Sequence, residues 1–268
     1  MSESNPNELL ERASRLLKQQ REVYGDFSVE FDAASPGKTS VQEAEPALDN
    51  KIDPVKAEEP TQTHSPEPLP SMPSEAELIA NCATLEELKT LCEKADVLKT
   101  DLLNTNLVFG VGNTSADLMI VGEAPGANED RQGEPFVGRA GKLLDQIMEA
   151  IDFKRSDIYI ANILKHRPPD NRDPKPEERR RSLPYLLRQI ELVNPKLVLC
   201  VGRISATTLL GKDYALKDMR QKFHEFHGRE LFATYHPAAL LRNPNWKRPT
   251  WEDVQMLRAR YDELGGQP

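Results

Sequence analysis

Residues 118–144 read LMIVGEAPGANEDRQGEPFVGRAGKLL, and this stretch decides the fold. Leu118–Gly122 is a short, unbroken apolar run, the pattern of a strand buried on both faces. Gly122, Pro125 and Gly126 then break the chain into a tight turn. From Arg139 the apolar residues return at helical spacing. Three further runs repeat the arrangement: Ile158–Ile163 (IYIANI), Leu197–Gly202 (LVLCVG) and Leu231–Tyr235 (LFATY). Helical patterns stand at 139–151, 177–193, 204–211 and 250–264. Apolar strands alternating with helices predict an α/β fold, a three-layer α/β/α sandwich around a central four-stranded parallel sheet. In such sheets ligands bind at the carboxyl ends of the strands.

Upstream, 75–103 is expected to form one or two helices that open a domain over 75–268. Residues 7–24 (NELLERASRLLKQQREVY) carry leucines on one helical face, which predicts a helix within 1–25. Residues 26–74 have few apolar residues and no period, and EPTQTHSPEPLPSMPSE is dense in Pro, Ser and Glu. That composition predicts a disordered acidic linker. Charge divides the same way. The 268 residues carry a net charge of −8. Residues 1–80 hold 16 acidic and 7 basic residues, whereas 81–268 hold 27 and 28. The acidity belongs to the N-terminal third, so it does not exclude a polyanion ligand for the rest. No apolar run is long enough to span a membrane, and no secretory leader is visible. Cys82, Cys92 and Cys200 make neither a disulfide framework nor a CxxC site, so a cytoplasmic protein is expected.

The loops after the strands hold the unusual residues. Glu123 follows the first strand, with Glu129 and Asp130 in the next turn; no phosphate-binding GxxxxGK[ST] is present. Phe136 lies in a loop between glycines and is either a core plug or a flat surface for an aromatic ligand. Asn162 stands near the end of the second apolar run, where an amide offers both a donor and an acceptor edge, either to a nucleobase or to a loop. The following segment is rich in Lys165, His166, Arg167, Arg172, Lys175, Arg179, Arg180 and Arg181, a solvated face or a phosphate-contacting patch. His236 follows the fourth run, and Leu240, Leu241 and Arg242 come after it, as core or as a wedge into a base stack. Together these suit chemistry on a base extracted from DNA.

LVFGVGN (107–113), GEAPGANEDRQGEPFVGRAGKLL (122–144), NILKHRPPDNRDP (162–174), LVLCVGR (197–203) and HPAALLRNP (236–244) resemble the uracil-DNA glycosylase superfamily, specifically family 4, over roughly residues 85–265. The resemblance implies a monomeric enzyme that flips uracil from DNA and hydrolyses its N-glycosidic bond, leaving an abasic site. It implies that Phe136 stacks on the uracil, Asn162 reads its edge and His236 supports charge at O2. Glu123 is the leading candidate for steering water or stabilising the sugar cation, with Glu129 second. Ala124 lies in the uracil pocket, where other branches carry aspartate. Arg167 and Arg172 would contact DNA, and Leu240, Leu241 and Arg242 would enter the duplex.

Family 4 relatives usually hold a 4Fe–4S cluster on four cysteines. By motif register those positions are Ala95, Leu98, His166 and Ser182 here, so no metal or other cofactor is expected. Apolar packing around Leu98, Leu102 and Leu103 is expected to replace the cluster. The alternatives are a uracil-DNA binding protein of weak activity, motivated by Ala124 and the missing cysteines, and an adaptor whose N-terminal tail recruits a repair or replication partner.

Overall fold

The computed structural model describes residues 73–267. The helix expected within 1–25, and the linker expected over 26–74 apart from its last two residues, lie outside them. Residues from Pro73 onward form one compact unit.

Its centre is a sheet of β1 (Val111–Gly112), β2 (Leu118–Gly122), β3 (Tyr159–Asn162), β4 (Leu197–Val201), β5 (His224–Phe226) and β6 (Arg229–Thr234), in the order β1-β3-β2-β4-β6-β5. The four expected strands, β3, β2, β4 and β6, are mutually parallel. The sheet is wider than expected, because β1 and β5 add an antiparallel strand at each edge.

The helices are α1 (Glu75–Asn81), α2 (Leu85–Lys94), α3 (Ala127–Gln132), α4 (Arg139–Glu149), α5 (Pro176–Val193), α6 (Arg203–Leu210), α7 (Leu216–Met219), α8 (Pro237–Arg242) and α9 (Lys247–Glu263). Alternation along the strands sorts the core into two layers. Met119, Val121, Ala161, Val198 and Cys200 face Leu186 and Ile190 of α5 and Ala206 and Leu209 of α6. Leu118, Ile120, Ile160, Leu199 and Phe232 face Leu144 and Met148 of α4 and Val254, Leu257 and Tyr261 of α9. Every residue of β2, β3 and β4 is buried. Two covered faces are why these strands read as continuous apolar runs.

A third apolar cluster joins Ile79, Cys82, Leu88, Cys92 and Leu98 to Phe109 and to Tyr185 of α5. Ser74 caps α1, accepting from Glu77 N while the Glu77 carboxylate accepts from Ser74 N at 2.7 Å. Leu98 packs as expected, but Leu102 is only half-buried and Leu103 is 83% exposed. The chain leaves the cluster after the 3₁₀ turn Asp96–Leu98, so the two later leucines take no part in it. No helix among the described residues is long and apolar enough to cross a membrane.

Candidate active site

Parallel strands deliver their carboxyl ends to one edge of the sheet. Gly122, last in β2, is in register with Asn162, last in β3. His236 follows two residues after β6. Glu123, Asn162 and His236 therefore come from three neighbouring strand ends.

Glycine is required at 122. A Cβ there would lie 2.4 Å from Asn162 Oδ1 and 2.6 Å from Cε2 and Cζ of Phe136. The amide and the ring thus meet over bare backbone. Asn162 is 2% exposed, and its Oδ1 is buried without a hydrogen-bond partner. A buried amide oxygen without a partner is costly to the fold unless a ligand satisfies it. Phe136 sits at φ +54°, an unfavourable conformation for an aromatic residue, and its ring stacks on His236 at 5.6 Å and 29°. Gly141 allows this turn, since a Cβ there would lie 1.8 Å from Phe136 O.

Glu129 holds that loop. Its Oε1 accepts from Val137 N at 3.0 Å and Gly138 N at 2.9 Å, and its Oε2 accepts from Gly126 N at 3.2 Å. One carboxylate thereby joins the turn after β2 to the loop carrying Phe136. With its oxygens committed to backbone amides, Glu129 does not fit the expected role of second base; the geometry gives it a positioning role.

His236 caps α8, and its Nδ1 accepts from Ala238 N at 3.1 Å. Burial, with Arg242 nearby, pushes the imidazole down to about 4. It is therefore neutral at pH 7 and carries its proton on Nε2, which remains a donor. Glu123 is half-buried, and burial pushes its carboxyl up to about 7. Asp173 acts in the same direction, and Arg179 and Arg242 oppose it.

Residues 109–255 match the family model described as the uracil DNA glycosylase superfamily. The chain belongs to that superfamily, in family 4. A type-4 uracil-DNA glycosylase of Archaeoglobus fulgidus is 41% identical over 174 residues, covering 62% of this chain and 86% of the relative. Another, of Thermotoga maritima, is 36% identical over 190 residues, covering 68% and 99%. A DNA polymerase of Bacillus phage SP01 is 31% identical over 163 residues, which make up 17% of its length.

Other expected site residues of this family 4 chain sit differently. Leu240 is 1% exposed, because α8 turns it inward; Leu241 is half-buried, and Arg242 is exposed. Leu241 and Arg242 are therefore the accessible side chains of the three, and Leu240 belongs to the core. Ala124 is half-buried and packs against the core layer that includes Leu186 and Ile190. Arg172 is committed internally. Its Nη1 donates to Glu178 Oε2 at 2.9 Å, and its Nη2 to Glu178 Oε1 at 2.7 Å and Asp101 Oδ2 at 3.2 Å. It organises its loop rather than offering a free fork to phosphate. Arg167 is half-buried and donates from Nε to Asn171 Oδ1 at 2.7 Å. Lys165 and His166 are buried, so the basic segment is not one continuous surface.

Lys165 reads in the sequence as one of a run of surface charges, but it is fully buried beside the site. Its Nζ donates to Asn162 O at 3.1 Å, Phe109 O at 3.2 Å and Gln189 Oε1 at 2.6 Å. It anchors the strand end that carries Asn162. Its only sequence signal was a cation three residues after the polar end of a buried strand.

The four family cluster positions do not fit a 4Fe–4S group. Ala95 and Leu98 have no donor atom and pack in the third apolar cluster. Ser182 Oγ donates to Ile163 O at 2.7 Å, and His166 Nδ1 shares a hydrogen bond with Thr105 Oγ1 at 3.0 Å. Such clusters are held by cysteine thiolates. Among the described residues, no group of three His, Cys, Asp or Glu side chains converges as a metal site.

Proposed function

We propose that this chain removes uracil from DNA by the following division of labour, which rests above all on the buried, unpartnered Asn162 Oδ1 beside Phe136. The flipped uracil lies on the Phe136 ring. Asn162 Oδ1 accepts from N3–H and its amide nitrogen donates to O4; cytosine presents the opposite pattern at both positions. As the N1–C1′ bond breaks, its electron pair moves onto the base. The His236 Nε2–H donates to O2, where the charge gathers. A neutral donor already in place stabilises that anion without reorganising at the moment of reaction. Water attacks C1′, and the Glu123 carboxylate orients it and takes its proton. The departing uracil anion takes up a proton from solvent and Glu123 gives its own back to solvent, so the products are uracil and an abasic site. Treating a uracil-containing oligonucleotide with the protein and then alkali tests the reading: strand cleavage supports it, and intact DNA overturns it.

The pH profile follows from Glu123. Its proton is lost only near pH 7. The anion, and with it the rate, should rise through about pH 7 in single-turnover assays. Glu123→Gln should lower the rate and flatten that rise; an unchanged inflection would remove Glu123 from the role. The effect on stability has the opposite sign. Between the ordinary 4.5 and about 7 the folded carboxyl holds a proton that the unfolded one has lost, so stability declines as pH rises through that window.

We also propose that the protein works without an iron–sulfur cluster, because the donor set is missing. The purified full-length protein should contain substoichiometric iron, show no broad visible iron–sulfur absorbance, and keep its unfolding midpoint in the presence of chelators. Four irons per chain would refute this.

A further inference from the structure

Tyr235 directly precedes His236, and its ring is the middle of a three-part stack. On one side the Arg220 guanidinium lies 4.3 Å from the ring centroid. On the other the Trp246 indole lies 4.9 Å away, tilted by only 9°. Arg220 is itself fixed. It donates from Nε to Asp253 Oδ2 at 2.7 Å and from Nη2 to Asp253 Oδ1 at 2.9 Å. It also donates to Pro249 O at 2.9 Å and Tyr235 Oη at 3.1 Å. The inner end of the stack is therefore anchored in the protein, while the indole at the outer end is 37% exposed.

Trp246 closes the 3₁₀ turn Pro244–Trp246, four residues beyond Arg242 at the end of α8. Asn243 braces the turn, its Oδ1 accepting from Asn245 N at 3.2 Å. Arg242 precedes the turn, and Lys247 and Arg248 follow it, with the Arg248 side chain 89% exposed. A large aromatic held flat from behind, among cations, has the parts of a stacking platform for single-stranded bases. Holding the ring in advance also removes the entropy cost of ordering it on binding.

We propose that Trp246 stacks on an unpaired nucleobase of the DNA while uracil is in the pocket. This rests on the DNA glycosylase reading above. Two bases could supply the ring face: the one opposite the extruded uracil, and the uracil's neighbour on its own strand. The chemistry is the same for both, tolerant of sequence and without ionic character.

The test uses the full-length protein with Trp251→Phe, which leaves Trp246 as the only indole. The probe is a duplex carrying 2′-fluorodeoxyuridine, chosen because it resists hydrolysis. Binding should quench Trp246 emission. Trp246→Ala should bind about tenfold more weakly, and Trp246→Phe should recover most of that loss. The salt dependence of binding should keep its slope, since no phosphate contact is removed. A tetrahydrofuran residue replacing the opposite base in one duplex, and the neighbouring base in another, identifies the partner: Trp246→Ala ceases to weaken binding where the stacked base is missing. Unquenched emission, or a penalty undiminished in both duplexes, overturns the proposal. Failure of the underlying reading registers separately, as wild-type protein binding the fluorouridine duplex no better than its thymidine counterpart.

Discussion

Asn162→Ala slows uracil release by about 10²–10³-fold at saturating DNA, and His236→Ala does the same, the scale of losing one preorganised donor to a developing oxyanion. The two losses have different origins. The Asn162 side-chain oxygen makes no hydrogen bond within the protein, so alanine removes no hydrogen bond that this oxygen gives the fold. The cost falls on the substrate, whose N3–H then enters a buried site without an acceptor. His236 does contribute locally, since Nδ1 caps α8, and a small loss of stability accompanies its larger loss of rate. Single-turnover cleavage of a uracil oligonucleotide measures both. A loss below threefold for the pair would sink their assignment.

Asp253→Ala costs the fold about 3–5 kcal/mol, the penalty for leaving one partner of a buried ion pair uncompensated. Asp253 is fully buried, and the Arg220 side chain nearly so. The carboxylate accepts twice from Arg220 and once from Thr234 Oγ1 at 2.6 Å. With it gone, the guanidinium keeps one carbonyl and one phenol and no counter-charge. Thr234 ends β6, two residues before His236, so the loss also loosens the strand end that leads to His236. Urea unfolding provides the measurement; a loss under about 1 kcal/mol would show that Arg220 is satisfied without Asp253.

The parallel strands were legible because burial on both faces leaves an unbroken apolar signature. β1 was not, since a valine and a glycine between Gly110 and Asn113 carry no period, and β5 has one buried residue. Asn162 and His236 stood out as polar residues closing apolar runs. Glu129 could be seen as an acid but not as a brace, because its partners are backbone amides with no sequence signature. Leu240 and Leu241 are equally apolar, and only the phase of α8 decides which is buried. Arg172 and Lys165 looked like surface charge until the turns that bring Glu178 and Gln189 to them were in place. The Tyr235–Trp246 stack joins residues eleven apart across two turns, beyond any helical or strand period.

Glu129 stitches two loops into one piece, and this bears on the order of events in time. With Phe136 already held in place, no lid has to close over an arriving base. A site braced in advance is expected to leave the escape of uracil from its own stack as the slow encounter step. Discrimination among DNA contexts is then expected to fall to the helix itself, with uracil in a mismatch, already loosely held, reaching the pocket sooner than uracil paired with adenine.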